Sequence, residues 1–225
     1  MAVVDLPLPI DPLIVIIDFF IGALYNACMT HALKGPARTI IFVGRPGSGK
    51  ETQAKLLAEK TGFHVLSTGE KFRELRQHRD ALGERIQAEY DAGRLIPDWF
   101  ADHLTVDALI NLAPQAGIIF EGSGRTLQQA QLFHDVTDWL NRPYRVINLI
   151  ITDDEARRRQ LLRSQMGSRP DSDSDEKIKV RLETYQKLTV PAIEFFRATG
   201  TMIDIEGERE ISVIHDDIMS RFGVA

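Results

Sequence analysis

The chain has 225 residues, 44% hydrophobic and 26% charged, a balance that suits one sizeable globular domain with an appendage and excludes bulk disorder. A net charge of −5 and a pI near 5.7 exclude the broad positive field of sequence-independent nucleic-acid binding, so any local arginine cluster serves something smaller. The single cysteine, Cys28, can form neither an internal disulfide nor a four-thiolate zinc site, which points to a reducing, cytoplasmic setting without structural metal.

The first 33 residues hold Asp5, Asp11 and Asp18 but no Lys or Arg, which appears first at Lys34. That composition argues against a secretory signal and against an Arg-rich transit peptide. Asp11 and Pro12 suit the N-cap and first position of a helix, and the apolar run from Leu13 to Leu24 continues it toward Cys28. The run is marginal for the ~20 apolar residues of a membrane span, and Asp18 near its middle is costly in hydrocarbon. Three readings of residues 1–38 stay open: docking on the core or on a second subunit, which ranks first, then a membrane anchor, then translation starting at Met29. The remainder, 39–225, reads as one domain, otherwise monomeric.

From Thr39 onward, short apolar runs alternate with amphipathic patterns. Thr39–Val43, His64–Ser67, Gly117–Glu121, Tyr144–Ile151 and Thr201–Ile205 read as strands. Five such strands separated by helices predict an α/β fold, a parallel sheet covered on both faces, with ligands beyond the carboxyl ends of the strands. A helical excursion from Thr68 to Pro97 separates the second and third strands, and the polar stretch Gly167–Asp175 reads as a mobile loop.

Gly44-Arg45-Pro46-Gly47-Ser48-Gly49-Lys50 follows the first strand and opens a helix that stops at Gly62. This is the setting of a P-loop: glycines turn backbone N–H groups toward phosphate oxygens, the helix N-terminus adds positive potential, and Lys50 reaches the β- and γ-phosphates of ATP. The bland alternative, a glycine-rich turn with a solvated lysine, does not account for the agreement of strand, spacing and helix. A generic P-loop carries Ser or Thr after its lysine, but here the residue is Glu51, with Thr52 following. A carboxylate in the first helical turn suits the helix dipole yet repels bound phosphate, so Glu51 is expected to point to solvent or to touch a metal shell.

Gly44 to Gln53 resembles the G-x-P-G-x-G-K-G-T-Q signature of adenylate kinases, with Glu51 in place of the usual glycine. Ser67-Thr68-Gly69-Glu70-Lys71-Phe72-Arg73 resembles the family's S-T-G-D-x-x-R, and Asp91-Ala92-Gly93-Arg94-Leu95-Ile96-Pro97-Asp98 its D-x-G-x-L-v-x-D. Glu121-Gly122-Ser123-Gly124-Arg125-Thr126-Leu127-Gln128-Gln129 stands where the family shows D-G-F-P-R-T-x-x-Q, with Ser123 and Gly124 replacing a stiffening Phe-Pro pair. The resemblance runs from Thr39 to the C-terminus and implies a P-loop NTPase fold with a monophosphate-binding subdomain at about 68–97 and a short lid at about 163–175.

The same resemblance implies roles. Gly44, Pro46, Gly47, Ser48, Gly49, Lys50, Glu51 and Thr52 would hold ATP, joined by Arg159 and Arg163 from the helix after the fourth strand. Thr68, Gly69, Arg73, Gly122, Arg125 and Gln129 would hold the acceptor, Arg73 and Arg125 on its phosphate and Thr68 and Gln129 toward its base. Lys50, Arg125, Arg159, Arg169 and Arg181 would carry catalysis. No protein side chain is expected to bind metal directly, but Mg2+ is expected with ATP, with Glu121 able to reach it through water. Related UMP/CMP kinases tend to carry Ala at the Thr68 position and Asn at the Thr126 and Gln129 positions, so the pattern points to AMP. A UMP/CMP kinase and a catalytically weak nucleotide-binding module are the alternatives. Arg157 and Arg158 read as a solvated basic face, His64 and His134 as structural or exposed, and the lid as too short for zinc.

Overall fold

Five strands form in the order of the apolar runs: β1 (Thr39–Gly44), β2 (His64–Ser67), β3 (Ile118–Glu121), β4 (Tyr144–Ile150) and β5 (Met202–Glu206). They come from a computed structural model that describes residues 37–92, 94–165 and 174–222. The chain divides into units Met1–Gly35 and Pro36–Ala225, and every described residue belongs to the second. The expected N-terminal helix, Arg169 and most of the expected lid lie outside the described residues.

All pairings are parallel, in the order β2-β3-β1-β4-β5. Because both faces are covered, alternate residues of one strand enter different cores. Ile41, Val43, Phe120 and Val146 pack with Phe133 and Phe196 on one face; Ile40, Phe42, Ile119 and Leu149 pack with Leu57 and Ile214 on the other. β1 is buried along its whole length. β3 begins one residue later than the apolar run, with the Gly117 carbonyl accepting from His64 N at 2.9 Å at the strand's edge.

After β1 comes α1 (Lys50–Thr61), which starts at the P-loop lysine and is capped where the Gly62 N–H meets Ala58 O at 2.8 Å. The excursion after β2 folds as α2 (Thr68–Leu75) and α3 (Ala81–Asp91), followed by α4 (Asp98–Ile110). Side-chain N-caps start α2 and α3: Ser67 Oγ accepts from Glu70 N, and Asp80 Oδ1 from Gly83 N. Phe72, Ile86, Ile96 and Ala101 give this region a small core of its own, distinct from those flanking the sheet.

Helices α5 (Leu127–Trp139), α6 (Asp153–Gln165), α7 (Asp175–Thr184), α8 (Val190–Ala198) and α9 (Ile211–Phe222) complete the layers. Between α7 and α8 the helix widens into a π-turn, Tyr185–Thr189, where Val190 N–H reaches Tyr185 O. Pro191 follows directly; it has no N–H and its ring would crowd the carbonyl four residues back, so the ladder opens by one residue there. The turn places Tyr185 in the cleft wall.

Candidate functional site

The carboxyl ends of β1, β2 and β3 open onto one cleft. On its donor side, the segment Gly44–Lys50 folds back on itself, with Ser48 N donating to Arg45 O at 3.1 Å. Lys50 Nζ curls over the loop and donates to Gly44 O and Arg45 O, both at 2.8 Å, and to Ser48 Oγ at 3.3 Å. Burial pushes the Lys50 ammonium down to about 7, and the charges of Arg125, Arg181 and Arg163 push the same way while Glu121 opposes them. These groups arrive from three separate stretches of chain and act on one ammonium. With one carboxylate against four cations, the space they enclose favours a polyanion.

The acceptor side is assembled from side chains. Thr68 is buried at the start of α2, its hydroxyl directed at Glu121 O at 3.4 Å. Gly122 has φ +89, and a Cβ there would fall 2.5 Å from Thr68 Oγ1 and 2.9 Å from Arg125 Nη2, so only glycine lets those two groups converge. Arg73 projects from α2 toward Gly69, whose carbonyl accepts from Tyr90 Oη at 3.2 Å. Gln129 lines the cleft, yet its amide is held at both ends: Nε2 donates to Asp98 Oδ1 at 2.8 Å and Oε1 accepts from Arg125 N at 2.9 Å. Asp98 Oδ2 also accepts from Thr126 Oγ1 at 2.8 Å. Any base that binds Gln129 directly has to take over one of these contacts.

Thr52 and Arg159 stand apart from the main cleft, in an adjoining recess with Ser48, Arg209 and Ile211; Arg163 and Gly49 border both. Gly47 packs under α6, the Cβ of Arg159 lying 3.6 Å from where a Gly47 Cβ would be. Arg158 and Arg159 both donate to Glu155, whose carboxyl is held down at about 2, chiefly by the hydrogen bond from Arg158. Arg157 pairs with Asp175 at 3.2 Å rather than standing solvated alone. His134 is structural, its Nδ1 lying 2.9 Å from Tyr144 Oη.

Glu51 departs from the first arrangement expected for it, since it does not point freely to solvent. Its carboxylate borders the cleft, lies 3.5 Å from Arg73 and accepts from Lys55 at 3.1 Å. The Ser123-Gly124 pair is also more tightly held than the loss of Phe-Pro suggests. Ser123 Oγ lies 2.9 Å from Thr105 Oγ1 in a buried hydrogen bond, and Gly124, at φ +67, packs against Ile41 and Phe196. Proline, fixed near φ −65°, cannot adopt that backbone.

Sequence reasoning missed several contributors. Asp98 organises Gln129 and Thr126, though it closes a motif the sequence displays. Arg45 crosses to Asp153 Oδ1 at 2.6 Å and to Ile151 O, and its guanidinium lies over the Tyr185 ring at 5.2 Å, tying the P-loop to α6 and the π-turn. Arg209 follows β5, and a search beyond every strand end would have found it.

Among the described residues no group of three His, Cys, Asp or Glu could hold a metal ion. The buried carboxylate Glu121, which accepts from Ser67 Oγ at 2.7 Å, borders the cleft as a hard oxygen donor, as does Glu51. That donor set fits Mg2+ carried on nucleotide phosphates and water, with little direct protein ligation.

A family model for adenylate kinase matches residues 42–201. An adenylate kinase of Cyanothece sp. is 37% identical over 174 residues, 77% of this chain and 88% of the relative. That of Leptospira biflexa serovar Patoc is 34% identical over 81% of this chain and 98% of its own length, and that of Clavibacter michiganensis 33% identical over 80% and 90%. The family model and these relatives, each covering most of the chain, agree: the chain belongs to the adenylate kinase family.

Proposed function

We propose that the chain catalyses reversible transfer of the γ-phosphoryl group of ATP to AMP, giving two ADP. The observation that carries this reading is the meeting of Lys50, Arg125, Arg163 and Arg181 around one cleft whose opposite wall presents Thr68, Gly69, Arg73 and Gln129. One wall suits a triphosphate and the other a monophosphate, with the cations at their junction.

The transfer breaks the bond between the γ-phosphorus and its β-bridging oxygen and forms a bond to an AMP phosphate oxygen, with no covalent enzyme intermediate. Catalysis is then positioning plus charge stabilisation. The P-loop N–H groups hold the β-phosphate, Lys50 follows the charge onto the leaving oxygens, and Arg125 aligns the attacking phosphate. Magnesium bound with ATP supplies further charge neutralisation on the phosphates, and Glu121 is the residue placed to hold one of its waters. Arg159 and Arg209, in the adjoining recess, are positioned to flank the ATP base. Bound polyphosphate also returns the Lys50 ammonium toward its ordinary charged range by adding negative charge to that of Glu121.

The cytoplasm is the setting the composition supports, and no helix among the described residues is long and apolar enough to cross a membrane. A coupled assay of ADP formation across AMP, CMP, UMP and GMP tests the acceptor. The highest kcat/KM is expected for AMP, and preference for CMP or UMP would sink the assignment.

A further inference from the structure

Glu51 stands where the family pattern has glycine, and it reaches out of the donor cradle into the acceptor site. Its Oε2 lies 3.5 Å from Arg73 Nη2, and its Oε1 accepts from Lys55 Nζ at 3.1 Å. The Glu51 and Arg73 side chains are 26% and 22% exposed, so the pair is partly shielded from water. Arg73 also faces Arg125 and Glu121: Arg73 Nη1, Arg125 Nη2 and Glu121 Oε2 lie 3.4, 3.9 and 3.9 Å from the point where a Gly69 Cβ would sit. Glu121 Oε2 already accepts from Ser67 Oγ, so two guanidiniums share one committed carboxylate, and a further anion eases their mutual repulsion.

We propose that Glu51 is a positioning residue that serves, beside the fixed Glu121, as a displaceable anion of the acceptor site, holding Arg73 in place until the acceptor's phosphate displaces it. The inference rests on the AMP reading of that site. A single N–H···O contact at 3.5 Å is weak, whereas a phosphate dianion offers Arg73 two parallel short hydrogen bonds and a second charge. The exchange therefore runs toward the acceptor. The displaced carboxylate keeps Lys55, which lies four residues on along the same face of α1 in the favourable Glu-before-Lys order. Glu51 thus competes with the acceptor, and its carboxylate weakens acceptor binding in proportion to its hold on Arg73.

Calorimetric titration of AMP into the full chain, without ATP, reads this directly. Glu51→Gln is expected to bind AMP about 2- to 5-fold more tightly than the wild type, the scale set by a partly exposed ion pair. Glu51→Asp, whose carboxylate falls one methylene short of Arg73, is expected to behave like Glu51→Gln. The gain should shrink at high ionic strength, and affinity for MgATP should change less than affinity for AMP. Equal AMP affinity for wild type and Glu51→Gln would overturn the proposal. So would an Asp variant that matches the wild type, or equal gains for AMP and ATP, since either outcome describes a diffuse field rather than a pair. A raised Mg2+ requirement in Glu51→Gln would place the carboxylate in the metal shell and overturn it as well. AMP that does not bind the wild type overturns the acceptor reading itself, whereas AMP that binds both proteins equally overturns only this inference.

Discussion

The two walls of the cleft are built by different means. The donor wall is a contiguous loop, Gly44 to Lys50, whose proposed phosphate-binding groups are backbone amides and one lysine folded over its own carbonyls. The acceptor wall is a collection: Thr68 and Arg73 from α2, Glu121 and Gly122 from the end of β3, Gln129 from α5, and Asp98 holding the last in place from α4. A local wall depends on few residues and fails when its one catalytic side chain is lost. A gathered wall depends on ties between distant segments and weakens by degrees as each is cut.

That contrast sets the order of expected effects. Lys50→Met should lower kcat by about 10²–10³-fold, the scale of losing one oriented charge from a transition state, with the melting temperature unchanged or raised. Steady-state kinetics beside circular dichroism checks both parts. Gly124→Pro, which restores one member of the family's usual pair, should destabilise the fold by about 3 kcal/mol, because the backbone at φ +67 excludes proline. Urea denaturation measures it, and a stabilised variant would show that the loop refolds to the family's form.

Asp98→Ala frees the Gln129 amide and the Thr126 hydroxyl, both otherwise part-buried donors. The KM for AMP is expected to rise about 10-fold, the cost of leaving such groups unpaired, with a smaller change for MgATP. Equal changes on both substrates would erase the distinction between the walls. The smallest effect belongs to Asp102 on α4, whose carboxyl is raised to about 6, first by burial and second by the charge of Asp98. Its folded value exceeds the ordinary 3.8, so its stabilising contribution is complete below pH ~4 and is lost as pH rises through ~6. Asp102→Asn should flatten that loss, melting a few degrees higher than the wild type at pH 7.5 and no higher at pH 4.

The same contrast explains what could be read from the chain. The inner strands β3, β1 and β4 were legible because buried parallel strands are continuous apolar runs, the half-exposed edge strands β2 and β5 through their short apolar runs between helical stretches, and the P-loop because strand, loop and helix lie in one short segment. Thr68, Arg73, Arg125 and Gln129, expected together through linked motifs, all line the cleft. Their partners were not legible: Glu51 meets Arg73 across 22 residues, Asp98 meets Gln129 across 31, and Ser123 meets Thr105 across 18. No local pattern carries such pairings, since they exist only once β3 lies between β2 and β1 and brings the two loops together. Glu51 shows the limit clearly. Its charge beside a phosphate cradle was evident, but the direction of its side chain depends on where α2 packs.

The central claim is that one cleft passes a phosphoryl group directly between two nucleotides. Single-turnover reaction of ATP labelled in its γ-phosphate with excess AMP tests it most directly. Label recovered in the β-phosphate of ADP is the expected result; label released as inorganic phosphate, with AMP unchanged, would contradict it.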